Sequence, residues 1–173
     1  MEVSMDTLTA ILSRRSIRKF TEEPISEEHL TMLLKAGMAA PSACNHRPIH
    51  IYVIRNKKTL VALSHSNIFS RMLAHTPLCL AIVADKKLEP FKDFRINDGS
   101  AVIENILLAA HDLGLGAVWL GTIQQQPWYA VIKKQLNLST SMVPIGLIAI
   151  GHPNETKTNE IRYDEKKIHF DIQ

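Results

Sequence analysis

The residues best suited to chemistry stand near the start of the chain. Arg14-Arg15-Ser16-Ile17-Arg18-Lys19-Phe20 packs four cations and a hydroxyl into seven positions. The residues before it, with Leu8, Ile11 and Leu12 spaced for one face, predict a helix from Met5 to about Arg14. The cations therefore fall at a helix end and in an extended segment that runs on through Pro24. Alternation in such a segment turns Arg14, Ser16 and Arg18 one way and Arg15, Ile17 and Lys19 the other. Two guanidinium forks flanking a hydroxyl suit a phosphate or another oxyanion, because arginine binds these through paired charge-assisted bonds. A solvated basic helix end, where cations favour the negative end of the helix dipole, accounts for the same residues.

A second stretch is Ala40-Pro41-Ser42-Ala43-Cys44-Asn45-His46-Arg47-Pro48. Two prolines bracket small and polar residues, which makes a rigid loop. Its backbone N–H groups, with the Ser42 and Asn45 side chains, can read a planar polar ligand; a plain connecting loop has the same composition.

Other chemistries lack their residues. No G-x-S-x-G elbow and no Walker loop is present. Gly114-Leu115-Gly116-Ala117-Val118-Trp119-Leu120-Gly121 leaves a helix and enters a strand, the reverse of a dinucleotide fingerprint, and its glycine spacing differs too. His46 and His50 are four apart but Pro48 lies between them, so they share no helix face and make no zinc site. No carboxylate pair stands out as acid and base. A chain with an anion grip but no nucleophile, metal or acid–base pair of its own borrows its chemistry from a cofactor.

The 173 residues suggest one domain over 1–173, long enough to bury about 70% of the unfolded surface. A net charge of +3, without a basic stripe or an aromatic platform, argues against nucleic acid. The two cysteines, Cys44 and Cys79, have no metal or redox spacing, so a reducing, cytoplasmic setting is expected. There is no signal-peptide pattern, and no apolar run is long enough for a bilayer, so no membrane role is expected.

The elements that must position these residues follow in order. Ser26 caps a helix whose apolar face is Leu30, Leu33, Leu34 and Met38, ended by Pro41. Ile49–Ile54 reads as a strand, Lys57 to about His65 and Asn67 to about His75 as helices, and Leu78–Ala84 as a buried strand. Asp85 to Asn97 is charged, carries Pro90, and reads as a loop or lid. Asp98 is expected to cap a helix from Gly99 to Leu113, apolar around most of its circumference; such a helix is either central or packed against a second subunit. Pro127 opens a helix to about Leu136, Met142–Ile150 is a strand, and Ile168-His169-Phe170 is expected to end the polar tail as a short strand.

Taken in order, these stretches resemble the nitroreductase family of flavin mononucleotide (FMN) enzymes, over nearly the whole chain. Arg14–Phe20 is similar to the family's R-x-S-x-R/K-x-F signature, and Ala40–Pro48 to its A-P-S-x-x-N-x-Q-P loop. Asp98-Gly99-Ser100-Ala101 through Gly121 resembles its central helix and following turn. Gly151-His152-Pro153 and Arg162 resemble its tail. The resemblance implies an α+β fold, a central sheet flanked by helices in an intertwined homodimer with FMN sites built from both chains. It implies that Arg14, Ser16 and Arg162 hold the phosphate, with Arg15 in the same cluster. Arg18 would lie at the pyrimidine edge of the flavin, and Leu120 and Gly121 would turn backbone N–H groups to its O4 and N5. Pro41, Ser42, Ala43 and Asn45 would line the site from the partner chain. The activity implied is hydride transfer from NAD(P)H through flavin N5 to an electron-poor acceptor, a nitroaromatic or a quinone. A flavin-binding sensor or storage module, and a flavin-consuming or dehalogenating enzyme of the same fold, are the alternatives. Arg47 stands where the family commonly has Gln, Ile49 where many members have Trp, and Glu160 where a second basic residue is frequent, which leaves Lys157 as the nearest lysine.

Overall fold

The computed structural model describes residues 5–171. Its core is a four-stranded antiparallel sheet of β1 (Ile49–Ile54), β2 (Leu78–Asp85), β3 (Gly116–Gly121) and β4 (Met142–Gly151), ordered β1-β2-β4-β3. Helices cover both faces: α2 (Glu27–Met38) and α4 (Lys92–Asp112) on one, α3 (Lys57–Ser64) and α5 (Pro127–Gln135) on the other. This explains why β2 reads as an unbroken apolar run. Leu78, Leu80, Ile82 and Ala84 pack towards α2 and α4, while Cys79, Ala81 and Val83 pack towards α3 and α5. Each fully buried Leu or Ile contributes about 1.5–3 kcal/mol. Cys79 is buried and Cys44 exposed, and both are free.

Local signals set several helix ends. The Asp6 carboxylate accepts from the N–H groups of Leu8 and Thr9 to start α1 (Thr7–Ser13), and Ser26 accepts from His29 N–H to start α2. Ile68–His75 forms a 3-10 helix rather than an α-helix.

The structure corrects two expectations and meets one of the two alternatives given for α4. First, α4 begins at Lys92, not Gly99, so only residues 86–91 of the expected lid are loop. Arg95 and Asp98 lie three apart on its buried side, and a polar buried face disguises a helix as a loop. Asp98 is thus an interior residue of α4, not its cap. Second, most of the apolar circumference of α4 is used within this chain, with Leu108 left half-buried. Val102, Ile103, Ile106, Leu107 and Ala110 are buried, and Gly37 of α2 approaches so closely that a Cβ there would stand 2.8 Å from Ile106. This is the central-helix alternative. Third, Ile168-His169-Phe170 forms no strand; the tail makes one 3-10 turn at Glu165–Lys167, and Phe170 stays exposed. Among the described residues no helix is long and apolar enough to cross a membrane.

Candidate functional site

The site is built along the outer edge of β3. The Ile17 N–H donates to the Ala117 carbonyl at 3.0 Å, and Ser16 bridges to Ala117 in parallel. Ile17 lies so close on Gly116 that a Cβ there would stand 2.7 Å from its Cγ2. The cationic segment is thus laid against the start of β3, and the rest of that edge is open.

Strand parity decides what the open edge offers. Successive residues turn their N–H and C=O groups to opposite sides. Ala117 faces outward, towards Ile17, while Thr122 N–H donates inward to the Ile145 carbonyl at 3.3 Å. Trp119 and Gly121 therefore face outward, and Val118 and Leu120 face β4. The Leu120 N–H points into the ladder towards Leu147, so Gly121, with Trp119, supplies the edge donors. A Cβ on Gly121 would meet nothing within 4 Å.

Three depressions follow this edge. The first, about 390 Å³, lies at the start of β3 and is lined by Arg14, Arg15, Ile17, His111, Glu155 and Lys157. The second, about 420 Å³, holds Arg18, Phe69, Trp128, Leu120 and Gly121. The third, about 330 Å³, shares Trp119 and Gly121 with the second. The simple alternation expected of residues 14–19 is not kept. Arg14 and Arg15 line the same depression because Arg14 is still the C-cap of α1, and extended geometry begins there.

The three arginines of the segment each meet a carboxylate or carbonyl near the surface. Arg14 Nε lies 3.4 Å from Glu104. Arg15 lies 3.5 Å from Glu160 Oε2 and also donates to the Thr158 carbonyl. Arg162 Nε lies 3.7 Å from the same Glu160 oxygen, so one carboxylate stands between Arg15 and Arg162. Arg18 Nη1 donates to the Ser16 carbonyl at 3.3 Å, and its backbone N–H donates to Glu155 at 2.6 Å. That backbone bond, aided by Lys157 at 3.2 Å, holds the Glu155 carboxyl below the usual range. In the same depression His111 stands 2.8 Å from the Ser13 hydroxyl; burial, and next the charge of Arg14, lower its pKa. Sequence reasoning passed over Glu155 and His111, because neither spacing nor residue type marks them.

The loop after α2 is held differently. Ala43 N–H donates to Asp98 Oδ1 at 2.9 Å, and Arg47 N–H to the Ser42 hydroxyl at 2.9 Å. Arg47 Nε donates to Asn45 Oδ1 at 2.8 Å, which orients the Asn45 amide. His46 Nδ1 stands 2.8 Å from the buried Glu89 carboxylate, which also accepts from Phe91 N–H at 3.0 Å. Cys44, Asn45 and Arg47 all take left-handed φ, between 49° and 56°, a conformation costly for non-glycine residues and kept only where surroundings enforce it. Pro41, Ser42, Ala43 and Asn45 do not line either depression that contains the cationic segment.

A family-level comparison fits this geometry. The sequence model of the Nitroreductase family matches residues 11–76 and 62–152. A Methanothermobacter thermautotrophicus protein, provisionally named an NADH dehydrogenase/NAD(P)H nitroreductase, is 35% identical over 167 residues, 96% of this chain and 87% of its own. The Bacillus subtilis FMN reductase [NAD(P)H] is 23% identical over 94% of this chain and 72% of its own. A provisionally named nitroreductase of Desulfovibrio desulfuricans, solved in complex with FMN, superposes with a TM-score of 0.87 at 29% identity, covering 99% of both chains. The chain belongs to the Nitroreductase family.

Proposed function

We infer that the protein is an FMN-dependent oxidoreductase that takes a hydride from NAD(P)H and delivers it to an electron-poor acceptor such as a nitroaromatic or a quinone. The observation that carries this reading is the track along β3: cations at its start, Arg18 beside its middle, and an outward Gly121 N–H next to open space at its end. A relative that is an FMN reductase using NAD(P)H, and a superposable protein solved with FMN, support it. FMN, when bound, supplies the hydride chemistry, for which this chain has no group of its own.

The chain's residues bind and orient. Arg14, Arg15, Ser16 and Arg162 hold the phosphate; Arg14 and Arg15 exchange their present carboxylate partners for it. Lys157 lines the same depression and adds charge. Arg18 lies at the polar edge of the ring system, and the Gly121 N–H fixes its register along β3. Pro41, Ser42, Ala43 and Asn45 reach a second copy's site, which makes the working unit a homodimer.

Exposed apolar side chains support that dimer. Leu8, Ile11 and Leu12 form one face of α1 and are 51–75% exposed, and Ile161, Tyr163 and Phe170 of the tail are exposed too. Sedimentation at low micromolar concentration should give a dimer; a stable flavin-loaded monomer would count against it. The activity itself is tested by adding NADH or NADPH anaerobically to FMN-loaded protein. The yellow colour should bleach and return on adding a quinone. Yellow protein that does not bleach would make the chain a flavin-binding module instead.

A further inference from the structure

The third depression has a lining unlike the other two. It lies between the first turns of α4, the end of β3, the start of β4 and the start of α5. Val143, Pro144, Ile145 and Ile123 give it an apolar floor, and Trp119 and Tyr129 stand in its wall. Among the described residues its only charged lining residues are Lys92 and Arg95, three apart on one face of α4. No carboxylate of the described residues lines it; Asp93, in the first turn of the helix, does not reach it.

Arg95 is the decisive residue. It is 9% exposed, and its Nη1 donates to the carbonyls of Glu89 and Pro90, at 2.6 Å each. Those bonds fix the guanidinium but bring no negative charge. The nearby Glu89 carboxylate, which feels the charge of Arg95, is engaged directly by His46 and Phe91 N–H instead, and Arg95 makes no contact ion pair among the described residues. Its Nε has no hydrogen-bond partner at all. Glu89 answers part of that charge from a distance, but a buried cation with no contact partner and an idle donor still gains from a carboxylate placed against it. A second cation on the same wall and aromatic rings opposite describe the missing partner. It is flat and apolar, with an anionic group at one end.

We propose that this depression is the acceptor subsite and that it selects aromatic acceptors carrying a carboxylate, which Lys92 and Arg95 bind while the ring lies against Trp119 and Tyr129. The proposal rests on the oxidoreductase reading, because the depression reaches the reaction edge only through Trp119 and Gly121, which it shares with the second. Its volume, about 330 Å³, is at the small end of ligand pockets, about 300–1,000 Å³, and suits one substituted ring rather than a dinucleotide. The turnover implied is a two-electron step. One nitro group takes a hydride, originating in one NAD(P)H, and one proton from solvent, and leaves as a nitroso group and a water.

The test compares 4-nitrobenzoate with its neutral isostere 4-nitrobenzamide. Calorimetry on FMN-loaded protein, without pyridine nucleotide, should show the benzoate bound about tenfold more tightly, the size of a charge-assisted contact. The preference should shrink in Lys92→Gln, and also in Arg95→Lys, which keeps the charge but loses Nε. The same preference should appear in kcat/KM, although a carboxylate withdraws electrons less than a carboxamide and intrinsic reactivity runs the other way. Equal or weaker binding of the benzoate overturns the proposal. So does a preference for NADPH over NADH that Lys92→Gln removes, since the cations would then serve the donor's phosphate. Selective binding of the benzoate by a protein that NAD(P)H does not bleach would uphold the subsite and sink the oxidoreductase reading, so the two failures are separable.

Discussion

The cationic segment 14–18 and the loop 40–48 both consist of polar residues near prolines or helix ends, yet they are held in opposite ways. The segment is fixed through its backbone, by Ala117 and by Glu155, and its arginine side chains rest on carboxylates at the surface. The loop is fixed through buried side chains, Asp98 and Glu89, and through its own hydrogen bonds, with three residues in left-handed conformation. The difference teaches what each is for. Surface ion pairs are weak and exchange readily for a stronger anion, which suits the segment to the gripping role we propose for it. A loop tied down by buried carboxylates and by its own bonds has little room to adapt, which suits it to the proposed role of a preformed wall.

Removing a cation from the grip should have the largest effect. Arg14→Ala is expected to weaken FMN binding about tenfold to a hundredfold, the worth of one set of charge-assisted bonds, and to leave riboflavin, which has no phosphate, unaffected. Titration of both flavins into flavin-free protein measures this. Equal losses for the two would place Arg14 at the ring instead.

The wall should break with a smaller loss. Asp98→Ala strands the Ala43 N–H and should lower stability by about 1 kcal/mol, a typical net hydrogen bond, read by urea unfolding. The idle Asp98 Oδ2 limits the loss, since a buried unpaired oxygen disappears with it. Stability unchanged, with the loop equally protected from hydrogen exchange, would show that α4 does not hold the loop.

A gain is expected where the grip is self-occupied. Glu160 stands between Arg15 and Arg162, so Glu160→Gln frees both. Exposed pairs are worth about 0.2–1 kcal/mol, and FMN affinity should rise by up to about fivefold. No change would mean that the phosphate does not meet these two arginines.

The smallest expected effect is one of pH. Phe91 N–H, and then His46, hold the Glu89 carboxyl below the usual range. A depressed carboxyl stabilises the fold fully above its unfolded value, about 4.3, and that contribution is lost as pH falls through the depressed value. Below about pH 4.3, melting temperature should therefore fall more steeply in the wild type than in Glu89→Gln. Parallel acid limbs would contradict the pairing.

The same contrast explains what could be read from sequence. Strands with a clear apolar pattern, such as β1 and β2, and helices with side-chain caps, such as α2, were legible because their signals are local. The cationic segment stood out by residue type alone, with an anion grip and a solvated helix end as its two readings. The first turns of α4 were not, because Arg95 and Asp98 reverse the usual rule that charged residues face solvent. The role of Asp98 depends on a loop 55 residues away in sequence, and no spacing rule carries that. The Leu120 and Gly121 pair was placed correctly on β3, but which of the two N–H groups is free follows only from register. Glu160 stood out as a departure; its place between two arginines is a tertiary fact.

The central claim is that the segment at the start of β3 grips the phosphate of FMN. Its most direct test is the affinity of flavin-free wild-type protein for FMN against riboflavin, measured by titration in one buffer. The account predicts that FMN binds about a hundredfold more tightly or better, since two or more charge-assisted bond sets act on the phosphate alone. Equal affinities, or a preference for riboflavin, would contradict it.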